Sequence, residues 1–209
     1  MQNKVLRGEG FNPWHNLAVE ELLVESHEGG CTLYLWQNKN TVVIGKHQNA
    51  WRECRAELLE KEGGFLARRM SGGGAVYHDI GNLNFTFVAE KEVYDVKRQL
   101  GVILEAVKSF GIEAAFSGRN DLVTRDGEKF SGNAFRVTRK TAMHHGTILI
   151  DTDMGMLSRY LAPSKEKMAA KGVESVRSRV TNLKDLAPHI TIPAIADAIE
   201  EAFIKQYGG

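Results

Sequence analysis

Apolar residues recur along this chain at two spacings, one typical of helices and one typical of strands. The helical spacing predicts helices from Pro13 to the Gly29-Gly30 pair and over residues 50–61, 93–110, 154–160, 165–171 and 193–207. Alternating apolar and polar positions predict strands over residues 32–36, 41–44, 65–70, 112–116, 121–124, 129–137 and 147–150. The strands fall mostly into hairpin pairs with helices interspersed. This favours an α/β (α+β) fold with a mixed, largely antiparallel sheet flanked by helices.

Local signals sharpen several of these boundaries. Asn12 is a favoured N-cap, and Pro13 suits the first position of the first helix. Asp126-Gly127 is a strong turn signal between the two strands on either side of it. Residues 37–40 are interpreted as the turn of a hairpin that joins strands 32–36 and 41–44.

Composition is that of an ordinary folded protein. The 209 residues are 43% hydrophobic and 25% charged, with a formal net charge of +1, so no bulk attraction to nucleic acid or to a membrane surface is expected. Cys31 and Cys54 lack the spacing of a metal site or a disulfide framework, which fits a reducing, cytoplasmic environment. The sequence contains neither a signal-peptide pattern nor an apolar run long enough to cross a membrane.

One stretch, from Arg68 to Phe87, concentrates residues suited to binding a ligand. Two arginines precede Gly72-Gly73-Gly74, and two strand-like runs separated by a turn follow. Three glycines in a row are entropically costly, and they suit a place where backbone approaches a ligand such as a nucleotide. Their spacing matches none of the common phosphate-loop, dinucleotide or hydrolase motifs. With Arg69 they are interpreted either as donors to a phosphate or adenine group or as a plain flexible turn.

A second candidate lies in the strand predicted over residues 129–137. In a regular strand Lys129 and Ser131 share one face, and Gly132 and Arg136 share the other, unless a bulge at Gly132 shifts the register. A lysine beside a glycine can approach an anion closely, and its compact ammonium suits a phosphate or carboxylate. The alternative is a solvated surface lysine, and only its pairing with the glycine stretch favours a binding role.

Other polar and aromatic residues are weaker candidates. The adjacent pair His144-His145 points to opposite faces of a strand, which favours a polar core residue or a ligand-orienting residue over shared zinc ligation. The pair His78-Asp79 is interpreted as fixing a turn for the same reason. Trp36 fits either the core or the wall of an apolar pocket. Cys54, in the charged helix predicted over 50–61, is interpreted as a buried or bystander thiol.

Several spaced motifs, in this order, resemble the lipoate–protein ligase A family. The resemblance extends from about Phe11 to Tyr207. The segments that carry it are Asn12-Pro13-Trp14 with Glu20-Glu21, Val43-Ile44-Gly45 with Gln48-Asn49, Arg68 to Asp79 with Gly81-Asn82, Ser117 to Leu122, Lys129-x-Ser131-Gly132-x-Ala134-x-Arg136, His144-His145-Gly146-Thr147, Lys171-Gly172 and residues 175–183.

The resemblance implies a fold shared with biotin protein ligases and a two-step activity. Members of the family use ATP, with magnesium, to convert lipoate to lipoyl-AMP. They then transfer the lipoyl group to a lysine of a lipoyl domain, as in the E2 subunits of 2-oxoacid dehydrogenases, or of the glycine-cleavage H protein. A cytoplasmic monomer that binds neither nucleic acid nor membrane is expected.

The resemblance also implies a role for each matching residue. Lys129 would contact the lipoate carboxyl oxygen and the α-phosphate, where charge builds up. Residues expected to hold or position the nucleotide, and magnesium near the last of them, are Arg69, Gly74, Ala75, Val76, Tyr77, His78, Asn82 and Asp121. Residues expected around the lipoyl pocket are Trp36, Ser71, Gly72, Gly73, Arg136 and His145.

One departure from the family affects the expected activity. Members usually carry a smaller C-terminal accessory domain, and this chain stops at Gly209, where that domain would begin. We therefore expect one catalytic domain over residues 1–209, and transfer from preformed lipoyl-AMP is a safer expectation than full ATP-dependent activity without a separate accessory subunit. The alternatives are an octanoyl or lipoyl acyltransferase of the same fold, dependent on a cysteine, and a non-catalytic binder of lipoyl domains.

Overall fold

This computed structural model describes residues 3–118, 120–161 and 180–208. These residues contain ten strands, arranged in two sheets, and seven helices. The strands are β1 Lys4–Arg7, β2 Cys31–Trp36, β3 Thr41–Ile44, β4 Phe65–Arg68, β5 Val76–His78, β6 Asn82–Glu90, β7 Ala114–Ser117, β8 Asp121–Thr124, β9 Lys129–Val137 and β10 Thr141–Leu149. The helices are α1 Pro13–Glu25, α2 Ala50–Glu53, α3 Ala56–Lys61, α4 Val96–Lys108, α5 Met154–Tyr160, α6 Leu183–Leu186 and α7 Ile192–Tyr207. The helix predicted over 165–171 lies outside the described residues.

The larger sheet has seven strands in the order β1-β2-β6-β10-β9-β8-β7. Its neighbours pair antiparallel except β1 and β2, which are parallel, so the predicted mixed, largely antiparallel sheet is confirmed. One face packs against α4 and α7, where Phe85, Phe87, Ile103 and Phe203 are almost fully buried. The alternating strand residues and the apolar helix stripes are complementary surfaces, and burying them drives this packing.

The smaller sheet has three strands in the order β4-β3-β5. Its apolar residues pack with α2, α3 and α5 around Val42, Leu59, Tyr77 and Tyr160. Helix α1 contacts strands of both sheets.

The predicted hairpin of strands 32–36 and 41–44 is wrong. Strand β2 pairs with β1 and β6 in the larger sheet, whereas β3 pairs with β4 and β5 in the smaller one. The chain also changes sheets between β5 and β6, through the turn at Asp79, whose Oδ1 accepts a hydrogen bond of 2.9 Å from the Gly81 amide. Two short connections therefore join the sheets and bring the glycine stretch to the boundary between them.

The single helix predicted over residues 50–61 is also wrong. Cys54 is extended, with φ of −147° and ψ of 164°, and it bridges to Leu161 at the end of α5. The Arg55 amide donates to the Tyr160 carbonyl at 2.9 Å instead of continuing a helical ladder. Tertiary pairing with α5 replaces the local helical hydrogen bonds at this point, and it divides the segment into α2 and α3.

Helix α1 begins where predicted, because the Asn12 side chain accepts hydrogen bonds from the Trp14 and His15 amides. Its buried face includes polar residues. Trp14 is 57% exposed, while Asn16 and Glu20 have no exposed surface. Buried polar groups of this kind need internal partners, and they find them around the cavity described next.

Candidate active site

A cavity lies between the two sheets and encloses about 790 Å³ that protein atoms do not fill, part of it open to solvent. We call it the glycine-loop cavity. Its walls are formed by Leu17, Trp36, Val43, Arg69, Gly73, Gly74, Ala75, Val76, His78, Asn84, Asn120, Asp121, Lys129, Gly132, Asn133, Ala134, His145, Gly146 and Thr147.

Arg69 shapes the loop that closes one side of this cavity. Its Nη2 donates to the carbonyls of Gly72 at 2.7 Å and Gly74 at 2.8 Å, and its Nε donates to Ser71 Oγ at 3.1 Å. Burial lowers the pKa of the guanidinium from its usual value. The Arg69 guanidinium therefore stabilises the conformation of this loop through its hydrogen bonds.

Two glycines of this loop differ in their surroundings. Gly73 has φ of +94°, a conformation that side chains rarely adopt. Its carbonyl oxygen lies only 2.4 Å from the point where a Cβ on Gly45 would sit, so the loop packs directly on the residues after β3. A Cβ on Gly74 would meet nothing within 4 Å. Gly74 is exposed and lines the cavity, so its backbone is accessible there.

Lys129 reaches the same cavity because of a β-bulge. The register between β8 and β9 shifts between Leu122 and Val123, so that Lys129 and Ser131 are paired with neighbouring residues while Phe130 is the extra one. Phe130 is buried in the core, and Lys129 lines the cavity together with Gly132. The sequence analysis allowed for a bulge at Gly132. The bulge lies at Phe130 instead, and it brings Lys129 and Gly132 to the same wall of the cavity.

The Lys129 ammonium is paired with a carboxylate in this cavity. Its Nζ lies 2.7 Å from Asp121 Oδ1, and the two side chains are 29% and 35% exposed. A Cβ on Gly132 would sit 3.1 Å from the same Nζ, so the glycine leaves room for the lysine. One wall of the cavity therefore carries an ion pair. An anionic ligand that binds Lys129 would either displace Asp121 or share the ammonium with it.

A buried hydrogen-bond network lies behind the cavity and includes two residues that sequence reasoning did not select. His145 contacts Glu20 Oε1 through Nδ1 and Ser71 Oγ through Nε2, both at 2.6 Å. Glu20 Oε1 also accepts from the Thr86 hydroxyl at 2.7 Å, which itself accepts from Trp36 Nε1 at 3.0 Å. The network joins Trp36, Ser71 and His145, three of the residues expected near one pocket. The sequence pointed to Glu20 only as part of a segment that carries the family resemblance.

The other predicted residues are divided between the cavity and its surroundings. Val76, Ala75, Gly73 and His78 line it. The residues absent from its walls are Ser71, Gly72, Tyr77, Asn82 and Arg136. The Tyr77 ring packs at a tilt against Tyr160 with ring centroids 5.6 Å apart, and Arg136 lies opposite Met143 in the sheet. Asn82 Nδ2 donates to Asn84 Oδ1 at 3.0 Å. Asn84 is a further wall residue that the sequence did not indicate.

His144 and His145 lie on opposite sides of β10, as expected from their adjacency. His144 has no exposed surface and packs among Phe85, Phe87 and Phe135. Burial, followed by the nearby His145, lowers the pKa of His144 to about 3, so the ring is neutral. His144 is therefore a polar core residue.

Neither cysteine is placed to act at this cavity. Both are buried, and neither is among the wall residues. Burial raises the pKa of Cys31 to about 12 and also raises the pKa of Cys54, which disfavours the reactive thiolate. The structure gives the cysteine-dependent alternative no support.

The part of the chain that the structure describes offers neither a metal cage nor a membrane span. Within it, no three His, Cys, Asp or Glu side chains are grouped closely enough to cage a metal ion. Within it too, none of the helices has the length and apolar character needed to cross a membrane.

The fold matches those of solved lipoate–protein ligases and, more distantly, of a biotin protein ligase. A biotin protein ligase from Leishmania major matches over 96% of this chain and 72% of its own, with a TM-score of 0.54 and 11% identity, a likeness of fold alone. Lipoate-protein ligase A bound with ATP matches more closely, with a TM-score of 0.85 and 27% identity over 99% of this chain and 85% of its own.

The family follows from sequence. The family model of the lipoyl protein ligase A/B catalytic domain matches residues 12–204, so the chain belongs to that family. LipL1 of P. falciparum, solved in complex with lipoate, is 33% identical with a TM-score of 0.88; the match covers 99% of this chain but only 62% of LipL1. A bi-partite lipoate protein ligase of Thermoplasma acidophilum, described with its E2 lipoyl domain, is 30% identical with a TM-score of 0.85 over 99% of this chain and 84% of its own.

Proposed function

We propose that this chain uses ATP to activate lipoate as lipoyl-AMP and transfers the lipoyl group to a specific lysine of a partner protein. The observation that carries the proposal is the sharing of one cavity by the Lys129 ammonium and the glycine loop, with open space beside Gly74. Relatives solved with lipoate and with ATP support the identity of the two substrates.

The chemistry needs positive charge and backbone donors rather than a protein nucleophile. A lipoate carboxylate oxygen attacks the α-phosphorus of ATP, the bond to the bridging oxygen breaks, and pyrophosphate leaves. The amine of the acceptor lysine then attacks the acyl carbon, AMP leaves with the electron pair of the acyl–oxygen bond, and the nitrogen loses a proton. Lys129 stabilises the charge that builds on the phosphoryl and carboxyl oxygens.

The wall residues divide this work between the two substrates. Gly74, Ala75 and Val76, which line the cavity, hold the nucleotide together with the adjoining Tyr77. Arg69 supports them by fixing the loop carbonyls. The lipoyl chain lies towards Trp36, where the buried network of Glu20 and Thr86 behind it keeps that wall rigid.

Magnesium would fit this site as an ion carried by ATP. Asp121 is the carboxylate among the wall residues, and magnesium commonly takes one or two protein carboxylates together with substrate phosphates. When bound, the ion would neutralise phosphate charge. Asp121 would serve as its protein ligand, and Lys129, relieved of its present partner, would be available to the carboxylate substrate.

The partner is proposed to be a lipoyl domain of a 2-oxoacid dehydrogenase E2 subunit or the glycine-cleavage H protein. The T. acidophilum relative, a bi-partite ligase described with its E2 lipoyl domain, supports both this partner and an accessory subunit. We infer that residues 1–209 act as the catalytic domain and that a separate accessory polypeptide assists the adenylation step.

The test is the intact mass of an apo lipoyl domain after incubation with this protein, lipoate, ATP and magnesium, beside a sample given preformed lipoyl-AMP. We expect the mass of one lipoyl group to be added, fastest from lipoyl-AMP. Lys129→Ala should lower the rate of lipoyl-AMP formation by about 10²–10³-fold, since it removes a donor at the developing charge.

The matched control is Lys97→Ala, which changes an exposed lysine of α4 that is not among the wall residues. It should retain the wild-type rate. Near-normal adenylate formation by a folded Lys129→Ala protein would contradict the proposed role, and a protein that binds the lipoyl domain without modifying it from either donor would be a binder rather than a ligase.

A further inference from the structure

His78, the last residue of β5, contributes an unusual group to the glycine-loop cavity. The side chain lines the cavity, yet the residue is only 3% exposed. Its Nε2 is buried and has no hydrogen-bond partner among the residues that the structure describes. The Nδ2 of Asn84, another wall residue, is likewise buried without a hydrogen-bond partner among the described residues. Buried polar atoms are nearly always paired, so an unpaired one at the wall of a cavity indicates a missing partner.

The hydrogen-bonding role of this Nε2 can be derived from a relay of amides that starts at the backbone. Asn16 Nδ2 lies 3.1 Å from the carbonyl oxygen of Gly10 and 2.8 Å from that of Gln37. Carbonyl oxygens only accept, so the amide group of Asn16 can have only one orientation. Its Oδ1 is correspondingly placed to accept from the Tyr34 hydroxyl at 3.1 Å.

The relay continues through Asn38. Asn38 Oδ1 lies 3.0 Å from Asn16 Nδ2, whose two hydrogens are shared among three oxygens. A nitrogen of Asn38 in that place would face another donor, so the oxygen of Asn38 faces Asn16 and its nitrogen faces the other way. That nitrogen lies 3.2 Å from His78 Nδ1. An amide nitrogen can only donate, so His78 Nδ1 must accept, and in the neutral ring the proton then resides on Nε2.

The neutral form of the ring is strongly favoured. Burial, then Arg69 and His145 nearby, lowers the pKa of His78 to about 3. At neutral pH the side chain therefore carries one proton, and the relay determines which nitrogen holds it. Asn38 itself is fully buried and is not among the wall residues, so it can act on the cavity only through His78.

We propose that Asn16 and Asn38 are positioning residues that lock His78 in its Nε2–H tautomer, so that this neutral donor binds an oxygen of the ligand. The oxygen belongs to a carboxylate or phosphoryl group, the chemistry that the cavity is proposed to handle, and to this extent the inference rests on the proposed function. Lys129 already supplies a cation there, and a neutral donor adds a hydrogen bond without burying a second charge.

The decisive measurement is the protonation of the two His78 ring nitrogens by ¹⁵N NMR, with and without ligand. We expect a protonated Nε2 and an unprotonated Nδ1 in the free protein. Saturation with lipoate or with ATP, added separately, should shift the Nε2 signal, and the ligand that does so identifies the source of the oxygen. A proton found on Nδ1, or an Nε2 signal that neither ligand moves, would overturn the proposal.

The relay is tested by Asn38→Asp, which keeps the size of the side chain but replaces the donor to Nδ1 with an acceptor. The ring should then place a proton on Nδ1, and the affinity for the responding ligand should fall about 10-fold, near the ~1.4 kcal/mol worth of one hydrogen bond. Asn12→Asp is the matched control on α1, because aspartate caps a helix as well as asparagine. Unchanged tautomer and affinity in Asn38→Asp would contradict the relay.

A third pair of variants separates donation from packing. His78→Phe removes the donor and should weaken the same affinity at least as much, while His78→Gln offers an amide donor at a similar position and should restore part of the loss. Thermal unfolding of each variant establishes that it folds. The tautomer and ligand titrations require no lipoylation, so they remain informative if the proposed two-step reaction fails.

Discussion

Gly73, in the wall of the glycine-loop cavity, is required both by its backbone conformation and by the side chain of Arg69 next to it. Its φ of +94° disfavours any residue with a Cβ, and that Cβ would lie 2.9 Å from Arg69 Nη2. The same Nη2 donates to the carbonyls of Gly72 and Gly74. A side chain at position 73 would therefore strain the loop and displace the group that holds it.

Gly111 allows these two effects to be separated. It follows α4 with φ of +80°, and a Cβ there would meet nothing within 4 Å. Gly111→Ala should lower the free energy of unfolding by ~1–2 kcal/mol, the cost of the left-handed conformation alone. Gly73→Ala should cost about 1 kcal/mol more, because it also disturbs the Arg69 hydrogen bonds. Denaturant unfolding measures both, and equal losses would show that the contact with Arg69 has no energetic weight.

At the scale of elements, the end of β4 organises two loops at once. Arg69 holds the glycine loop, while its neighbour Arg68 holds the loop after β3. Arg68 Nη1 donates to the carbonyls of Gly45 at 3.1 Å, Lys46 at 3.1 Å and Gln48 at 2.8 Å. Adjacent residues of an extended strand point in opposite directions, which is why two consecutive arginines can serve separate loops.

Arg68→Lys should loosen the loop after β3 without unfolding the protein. Lysine has a single ammonium on a flexible stem and cannot reproduce the planar guanidinium. We expect amide hydrogen exchange at Gln48, whose N–H donates to the Gly45 carbonyl at 3.1 Å, to become about 10-fold faster, which corresponds to losing ~1.4 kcal/mol of local stability. Arg139→Lys, at an exposed position, is the control. Unaltered protection at Gln48 would mean that the loop is held by other contacts.

At the scale of the whole molecule, each of the two sheets contains a buried neutral histidine. His78 belongs to the smaller sheet and His144 to the larger one, and burial is the main cause that lowers the pKa of each to about 3. In the unfolded chain both rings regain the ordinary value of 6.5. Between these values the unfolded state binds more protons, so acid favours unfolding.

The free energy of unfolding should therefore fall as pH decreases from about 6.5 towards 3, with each ring contributing up to ~1.4 kcal/mol per pH unit. His144→Phe, which places a similar ring among Phe85, Phe87 and Phe135, should remove about one proton from this dependence. Urea unfolding at several pH values measures the slope. An identical slope in His144→Phe would show that this ring is not kept neutral by folding.

Sequence by itself determined the local elements and the family. The cap at Asn12, the Asp126-Gly127 turn and the apolar stripe of α7 fixed boundaries that the structure reproduces, because each depends on neighbouring residues only. The glycine stretch and Lys129 were selected for the chemistry that their residue types allow. Both line one cavity.

Tertiary structure alone decided how these pieces combine. The separation of β2 from β3, the interruption at Cys54 and the buried polar face of α1 result from contacts between residues distant in sequence. The same is true of the link between Glu20 and His145 and of the amide relay to His78. Hydrogen bonds between buried polar side chains leave no periodic pattern in the chain, since each needs only one partner brought near by the fold. The β-bulge that turns Lys129 towards the glycine loop is of this kind, and it is what makes the two motifs one site.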